Sequence, residues 1–521
     1  MEPLDRMLEA WAESPSTHPL LGDWRRAGYR RGAAEPRASG PAVPARARGI
    51  EPNGPEDVSA RLQDALDELG RGGGGVLQLE AGRYVCDNAL FIHDSNVVLA
   101  GTAKHETTLF FSRPLAECVA PGFHWSWTGG HVFFVARERL ATASSEPPGG
   151  WRVANGAEGW LPGDTLAHVA PAARGTHVLV VDDSDAVTPG EMVLLEVANP
   201  SPDNRLLREM AGDVSGARIY PWQQTFLDGV PWTWPVVVAD VLSQHLVRIE
   251  QPLRVALHRE TPARLRELGP TVHDSGVVHL TIENDLRTQT VHNENPGSNG
   301  VGFQAVYDCW ATDVHVLNAD VAFGMTSAKS CTLSGISAGG RSLHHFTITR
   351  EASHDNLVED FELEDFTIPA VPGSYLHGIN VEGLSSGNVW RRGTMHTGTF
   401  DSHRGLPFEN LRTDIVLVNK DAVPGGAFEA GPQFGARTVH WGITVTGGET
   451  LGMDITDVAP RSLTAGITGL SEPGSRLRGV PSNSYFEGDL ESERLAFGTD
   501  LGGDRDLLEL QRTILPLTER G

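Results

Sequence analysis

Cysteine is scarce in this chain: four in 521 residues, at Cys86, Cys118, Cys309 and Cys331. Their spacing forms no metal-ligand pattern, and four in so long a chain make no disulfide framework, which fits a reducing compartment. Basic residues are outnumbered, 42 Lys and Arg against 67 Asp and Glu, for a formal net charge of −25. That field repels nucleic acid and anionic membrane surfaces, so neither is expected as a partner. Long apolar runs are missing too, and none approaches the ~20 residues that span a bilayer. The first residues, M-E-P-L-D-R-M-L-E-A-W-A-E-S, carry acids where an export signal has a basic region and then an apolar one. A cytoplasmic protein is therefore expected, as a monomer or a homo-oligomer.

What is plentiful is turn chemistry, with 59 Gly and 33 Pro beside 40% hydrophobic residues. This composition suits a long, turn-rich all-β chain with an adequate core. The stretch from Gly49 to Gly101 is the most informative. Val58, Leu62, Ala65, Leu66 and Leu69 recur at helical spacing, and a glycine run then stops the helix. Two short alternating segments follow, Val76 to Leu79 and Asn96 to Leu99, with Ala81 and Gly82 turning between them. A helix over the open end of stacked short strands protects the first edge of a solenoid.

This block resembles the N-terminal cap and first coils of the pectate-lyase-like right-handed parallel β-helix superfamily, whose members mostly cleave or remodel carbohydrate. The segments F-D-S-H-R-G-L-P-F-E-N-L from Phe400, G-A-R-T-V-H-W-G-I from Gly435 and P-S-N-S-Y-F-E-G-D-L from Pro481 resemble segments that recur in uncharacterised members. The resemblance implies an all-β, single-stranded right-handed parallel β-helix with an N-terminal capping helix and a β-rich insertion. The expected organisation is an extension over 1–48, the cap and first coils over 49–119, the insertion over 120–272, the main coils over 273–480 and a tail over 481–521.

Repeats support the solenoid. The segments beginning at Cys309, Cys331, Asn356, Asn388, Asn410 and Thr438 align, at intervals of about 22 to 32 residues. Seven residues after each anchor stands Val316, Ala338, Leu363, Met395, Leu417 and Val445, an apolar inward ladder. The Asn side chains are expected to bond along one stacked turn, and the cysteines to be inert fillers in the same row. Between the coils, Gly175 to Val197 alternates, turns at Pro189-Gly190 and alternates again, while Val236 to Leu253 offers further strands. These read as a small β-barrel or hairpin insertion. Tyr220, Trp222, Trp232 and Trp234 lie among them and read either as a substrate platform for sugar faces or as a buried cluster closing the insertion onto the helix.

Chemistry is expected where polar coils pile up between Gly339 and Glu409. Period-2 alternation puts Phe303, Met325, Ile348, Val381 and Phe400 inside, and Gln304, Thr347, Thr349, Asn380, Glu382, Asp401 and His403 outside. Of the doublet His344-His345, the second is expected to face out, with Phe346 inward. Arg350, Glu351, His354, Tyr375, His377 and Arg404 fall at strand ends or in adjoining loops.

Two reaction classes fit these residues. A lyase cleaving a uronate glycan by β-elimination needs a base, a cation for the sugar carboxylate and an acid. His403 as base oriented by Asp401, Arg404 or Arg350 as cation, and Tyr375 or His377 as acid would supply the set. Glu351, His345, His354 and Asn380, with Trp222, Trp232 and Trp234, would bind substrate. A retaining glycoside hydrolase would use Glu382 and Asp401. The absence of paired-Asp segments typical of polygalacturonase-like hydrolases favours the lyase. An epimerase or biosynthetic enzyme on a small glycoside, and a non-catalytic glycan-binding β-helix, are the further alternatives. No Asp run is spaced like a calcium loop, and no metal ligands or cofactor are expected, with a calcium requirement for neutralising the sugar carboxylate left open as the alternative. The net negative charge does not argue against a polyanionic sugar, because a local basic groove outweighs a distant field.

Overall fold

The computed structural model describes residues 2–119, 128–139, 159–214, 220–291, 294–374, 376–418, 431–447, 453–470, 486 and 488–517. Its frame is a right-handed parallel β-helix. In the longest sheet, twelve strands follow one another along a single path, from Ala42–Pro44 at one end to Glu493–Leu495 at the other. Pairing along the coils is parallel, and the register matches the repeat read from the sequence. Trp310 pairs with Thr332, Thr332 with Leu357, Leu357 with Val389, Val389 with Leu411, and Leu411 with Val439. The residues just before these form the turn row. There Asn356 Nδ2 donates to Asn388 Oδ1 at 2.8 Å, and Asn388 Nδ2 to Asn410 Oδ1 at 3.0 Å. Each of these side chains also accepts the backbone N–H of the coil before it, so stacking satisfies groups that burial would otherwise leave unpaired. Seven residues on, Val316, Ala338, Leu363, Met395, Leu417 and Val445 pair coil by coil. All six belong to the core of the solenoid or line it at 2% exposure or less.

The cap forms over Ser59–Arg71 and buries Leu62, Ala65, Leu66 and Leu69 on the first coils. Both chain ends also clothe the coils. Trp11, Leu21 and Trp24 from the N-terminal stretch, and Leu507 and Leu508 from the last helix, Leu507–Ile514, cover a row of Leu357, Val389, Leu411, Val439 and Leu463. The stretch expected as a tail thus adds a coil strand and a covering helix. At the other boundary, Val132–Phe134 is a coil strand paired with Leu90–Ile92 and Val301–Tyr307, so the insertion starts after it and not at 120.

The insertion is an antiparallel sheet of six strands between Pro162 and Leu268. A bridge between Val169 and Val181 joins its two ends and curls it into a barrel. The barrel docks on coil turns. Its core is continuous with Leu384, Leu406 and Phe408 of the solenoid. Trp160 Nε1 donates to the Ala352 carbonyl at 2.8 Å. Trp222, Trp232 and Trp234 sit at this junction, at most 1% exposed, with Trp232 edge-on to His354 at 5.6 Å. They are a buried cluster that closes the insertion onto the helix, and no aromatic face among them is open as a platform.

Candidate functional site

A second sheet stacks the strands Val301–Tyr307, Val321–Lys329, His345–Arg350, Gly378–Val381 and Thr399–Ser402. Phe303 pairs with Met325, and Phe400 with Ile379, all in the core as alternation requires. One strand departs from the expected parity. Thr347 pairs with Phe323 and Ile379, and Thr349 with Met325 and Val381, so both threonines face inward and Ile348 falls in the outer row with Asn380. Two features explain this reversal. Phe346 is an extra residue at a register shift between His345 and Thr347, which turns the alternation over. In addition, Trp390 Nε1 donates to Thr347 Oγ1 at 3.2 Å, giving the inward hydroxyl a partner.

The outer row assembles the expected residues. Asn380 pairs with Asp401 on the next coil, and Glu382 and His403 follow just beyond the two strand ends. His403 Nδ1 lies 2.9 Å from Asp401 Oδ2, Asn380 Nδ2 donates to the same oxygen at 2.7 Å, and His377 Nδ1 stands 3.8 Å from it. The rings gather as well. His345 stacks on His377 at 4.8 Å, and His377 meets His403 edge-on at 5.1 Å. Phe346 is in the core, as expected. Beside this cluster lies an ion network: Arg404 Nε donates to Glu382 Oε2 at 3.0 Å, Arg350 Nε stands 3.2 Å from Glu382 Oε1, and Arg350 Nη2 donates to Glu351 at 3.1 Å.

Outward from the coil does not mean exposed. His403 and Arg404 retain 7% exposure, and Asp401 and Asn380 retain none. Burial pushes the Glu382 carboxyl up, but Arg404, Arg350 and His403 outweigh it and hold it below its usual value. For Asp401 burial again pushes upward. His403, through charge and hydrogen bond, and then His377 and His345 prevail and hold the carboxyl far below the ordinary range. Both carboxylates are therefore ionised. Burial, helped by His377, keeps the His345 imidazole neutral by lowering its pKa well below normal.

Not every expected residue joins this group. His354 lies under the barrel, where Nε2 meets the Thr233 carbonyl at 2.9 Å and Nδ1 meets Ser386 Oγ at 3.0 Å. It braces the dock and takes no part in the imidazole cluster. Tyr375 lies outside the described residues. Other groups could not be read from the sequence. A cavity of about 190 Å³ separates barrel from coil and is lined by Trp160, Glu196, Pro231 and Thr233 on one side and Glu351, Ala352 and Leu384 on the other. Nothing in the local pattern of Trp160 or Glu196 ties them to the coils, because docking alone brings them there. Inside the solenoid, Arg412 extends beneath the site and donates from Nη2 to the Asp401 carbonyl at 2.7 Å, and its Nη1 lies 3.0 Å from His440 Nε2.

No protein-family profile matches the chain, and no curated protein does. Among solved structures it is similar to the tailspike protein gp49 of Pseudomonas phage LKA1, at 11% identity and TM-score 0.43, over 85% of this chain and 69% of that one. It is also similar to the A-module of the Azotobacter vinelandii mannuronan C-5 epimerase AlgE4, at 12% identity and TM-score 0.27, over 88% and 96%. An exopolygalacturonase from Thermotoga maritima matches at 10% identity and TM-score 0.32, over 86% and 80%. Likeness at this level carries no argument about activity. The architecture rests on the chain's own coil register, which is that of a right-handed parallel β-helix. Among the described residues, no helix is long and apolar enough to cross a membrane.

Proposed function

We propose that this protein is a glycan-acting enzyme that abstracts the C5 proton of a uronate residue and cleaves the chain by β-elimination. The observation that supports it is the His403–Asp401–Asn380 relay, fixed by adjacent coils at the ends of their strands. Asp401 orients the imidazole, and His403 takes the C5 proton. The freed electron pair forms the C4–C5 double bond as the C4–O4 bond breaks, and the leaving oxygen accepts a proton from His377. Arg350 and Arg404 stand at the strand ends to face the sugar carboxylate, which competes with Glu382 and Glu351 for them.

The retaining-hydrolase reading is disfavoured by electrostatics. That mechanism needs one carboxyl protonated to serve as general acid, yet Glu382 and Asp401 are both held below their usual values. The test is ultraviolet absorbance of the unsaturated uronate when the protein is mixed with uronate oligosaccharides. A rise that disappears in His403→Ala is expected. New reducing ends without absorbance would return the hydrolase, and binding without either would mean a glycan-binding role.

A further inference from the structure

The same outer row has a property that proton transfer does not require. His377, Asp401 and His403 each offer a ligand atom, and these atoms lie within 4.8 Å of one another. We propose that these three side chains form a binding site for one divalent transition-metal ion of the zinc class.

The argument is geometric first. Metal–nitrogen and metal–oxygen bonds of about 2.0–2.1 Å at tetrahedral angles place neighbouring ligand atoms roughly 3.3 Å apart. The separations from Asp401 Oδ2 are 2.9 Å to His403 Nδ1 and 3.8 Å to His377 Nδ1, so they bracket that edge length. Small rotations of two rings would equalise them. Donor chemistry then selects the ion. Two imidazoles and a carboxylate suit zinc, cobalt, nickel or iron, whereas calcium takes six to eight oxygens. Support around the ligands is also present. Asn380 holds the Asp401 carboxylate from the preceding coil at 2.7 Å, as outer partners of metal-bound carboxylates do. His345 lies flat against His377 and restricts its ring.

Metal binding and proton transfer use the same side chains in different states. An imidazole bound to metal through Nδ1 keeps its proton on Nε2 and does not act as a base. The metal-loaded protein is therefore expected to be a resting form, with zinc suppressing elimination.

The test is titration of chelator-treated full-length protein with zinc by calorimetry, and with cobalt(II) by visible absorption. One equivalent is expected, with cobalt d–d bands and no thiolate charge-transfer band. Asp401→Asn and His377→Ala should each weaken zinc binding by ~100-fold or more, and Asn380→Ala by ~10- to 100-fold. His315→Ala, a buried histidine outside the cluster, should bind as the parent does. Absence of d–d bands in the folded parent protein overturns the site, a result that does not depend on any variant folding. Unchanged zinc affinity in a folded His377→Ala overturns it too. The uronate assay separates this site from the proposed reaction. Turnover by metal-free protein, suppressed by zinc, supports both. Turnover only with zinc bound leaves the metal site standing and removes His403 as the base.

Discussion

Two buried polar clusters lie on neighbouring turns of the same coils, and they are built differently. Under the barrel, Lys329 and Arg254 both pair with Asp355, Lys329 also donates to Gln251 at 2.6 Å, and Arg437 pairs with Glu409 at 2.8 Å. Gln251 and Arg254 come from the insertion, and Lys329, Asp355, Glu409 and Arg437 from the coils. Arg254–Asp355 and Lys329–Gln251 therefore fasten one unit to the other, while Lys329–Asp355 and Arg437–Glu409 tie coil to coil beneath them. The cluster of His345, His377, Asp401 and His403 joins no separate units. All four residues come from consecutive coils whose ladders already hold them. Burying charge is costly, and matched ion pairs at a docking face return some of that cost as specificity of placement. The imidazole cluster fastens no second unit to the coils, so placement of a docked element does not account for it.

The sharpest way to break this comparison is pH. Burial, aided by Lys329, lowers the His354 pKa to about 3, and burial, aided by Arg412, does the same for His440. Burial, with Arg174 and with His105 respectively, lowers His18 and His315 to about 4. An unfolded chain takes up these protons near 6.5, and the folded one does not until far lower. The contribution of these rings is thus full above about pH 6.5 and falls steadily as the pH drops toward 3, beginning before carboxylates titrate. Urea midpoints at pH 7 and pH 5 test this, and equal midpoints would mean these rings are not held neutral.

Next in size is Asp355→Ala, which strands Lys329 and Arg254 without their shared partner. It should destabilise the protein by about 3–5 kcal/mol in denaturant unfolding. The carboxyl itself is pushed up by burial but brought down to about 2 by Arg254 and Lys329. Its contribution is present above the ordinary carboxylate value and lost as the pH falls through about 2. A loss below ~1 kcal/mol would make this cluster something other than the fastening.

His403→Ala should lower turnover by ~10²-fold or more, the usual effect of a positioned acid–base group. Because Asp401 loses its 2.9 Å partner on a buried face, a modest stability loss of about 1–3 kcal/mol is expected as well. If Glu382→Gln abolishes activity while His403→Ala does not, the roles are reversed. The smallest effect is expected at the thiols. Cys309 and Cys331 are free, buried and adjacent on successive coils, and burial, then Cys331, raises the Cys309 pKa well above normal. A thiol reagent should label Cys118 first and these two only on unfolding, and rapid labelling of both in the native protein would break the coil register.

The solenoid was legible because its signals are local and repeated. Anchors at Cys309, Cys331, Asn356, Asn388 and Asn410, and the apolar residue seven places on, land in register along the sheet. Alternation failed in the strand His345–Arg350, where the extra Phe346 inverts the faces and puts Thr347 and Thr349 inside. A polar residue is admitted there because Trp390, from another coil, donates a hydrogen bond to it. At the site, the meeting of Asn380, Asp401 and His403 followed from strand order. The reading of Trp222, Trp232 and Trp234 stayed divided because an aromatic that seals a junction and one that binds sugar look alike in sequence.

By itself, the sequence determined which residues share a coil position, because a period of two along strands and one coil across them is set by backbone geometry. It therefore determined that Asp401 and His403 project from the same side of the sheet. Only the tertiary structure decided that this side is buried, that the cavity opens between Glu351 and Trp160, and that Arg412 reaches the site from inside. The cavity depends on a barrel inserted more than a hundred residues before its coil-side lining, and the reach of Arg412 depends on the stacking of one coil upon another. Burial by a distant element is a property of docking, and no local pattern of spacing records it.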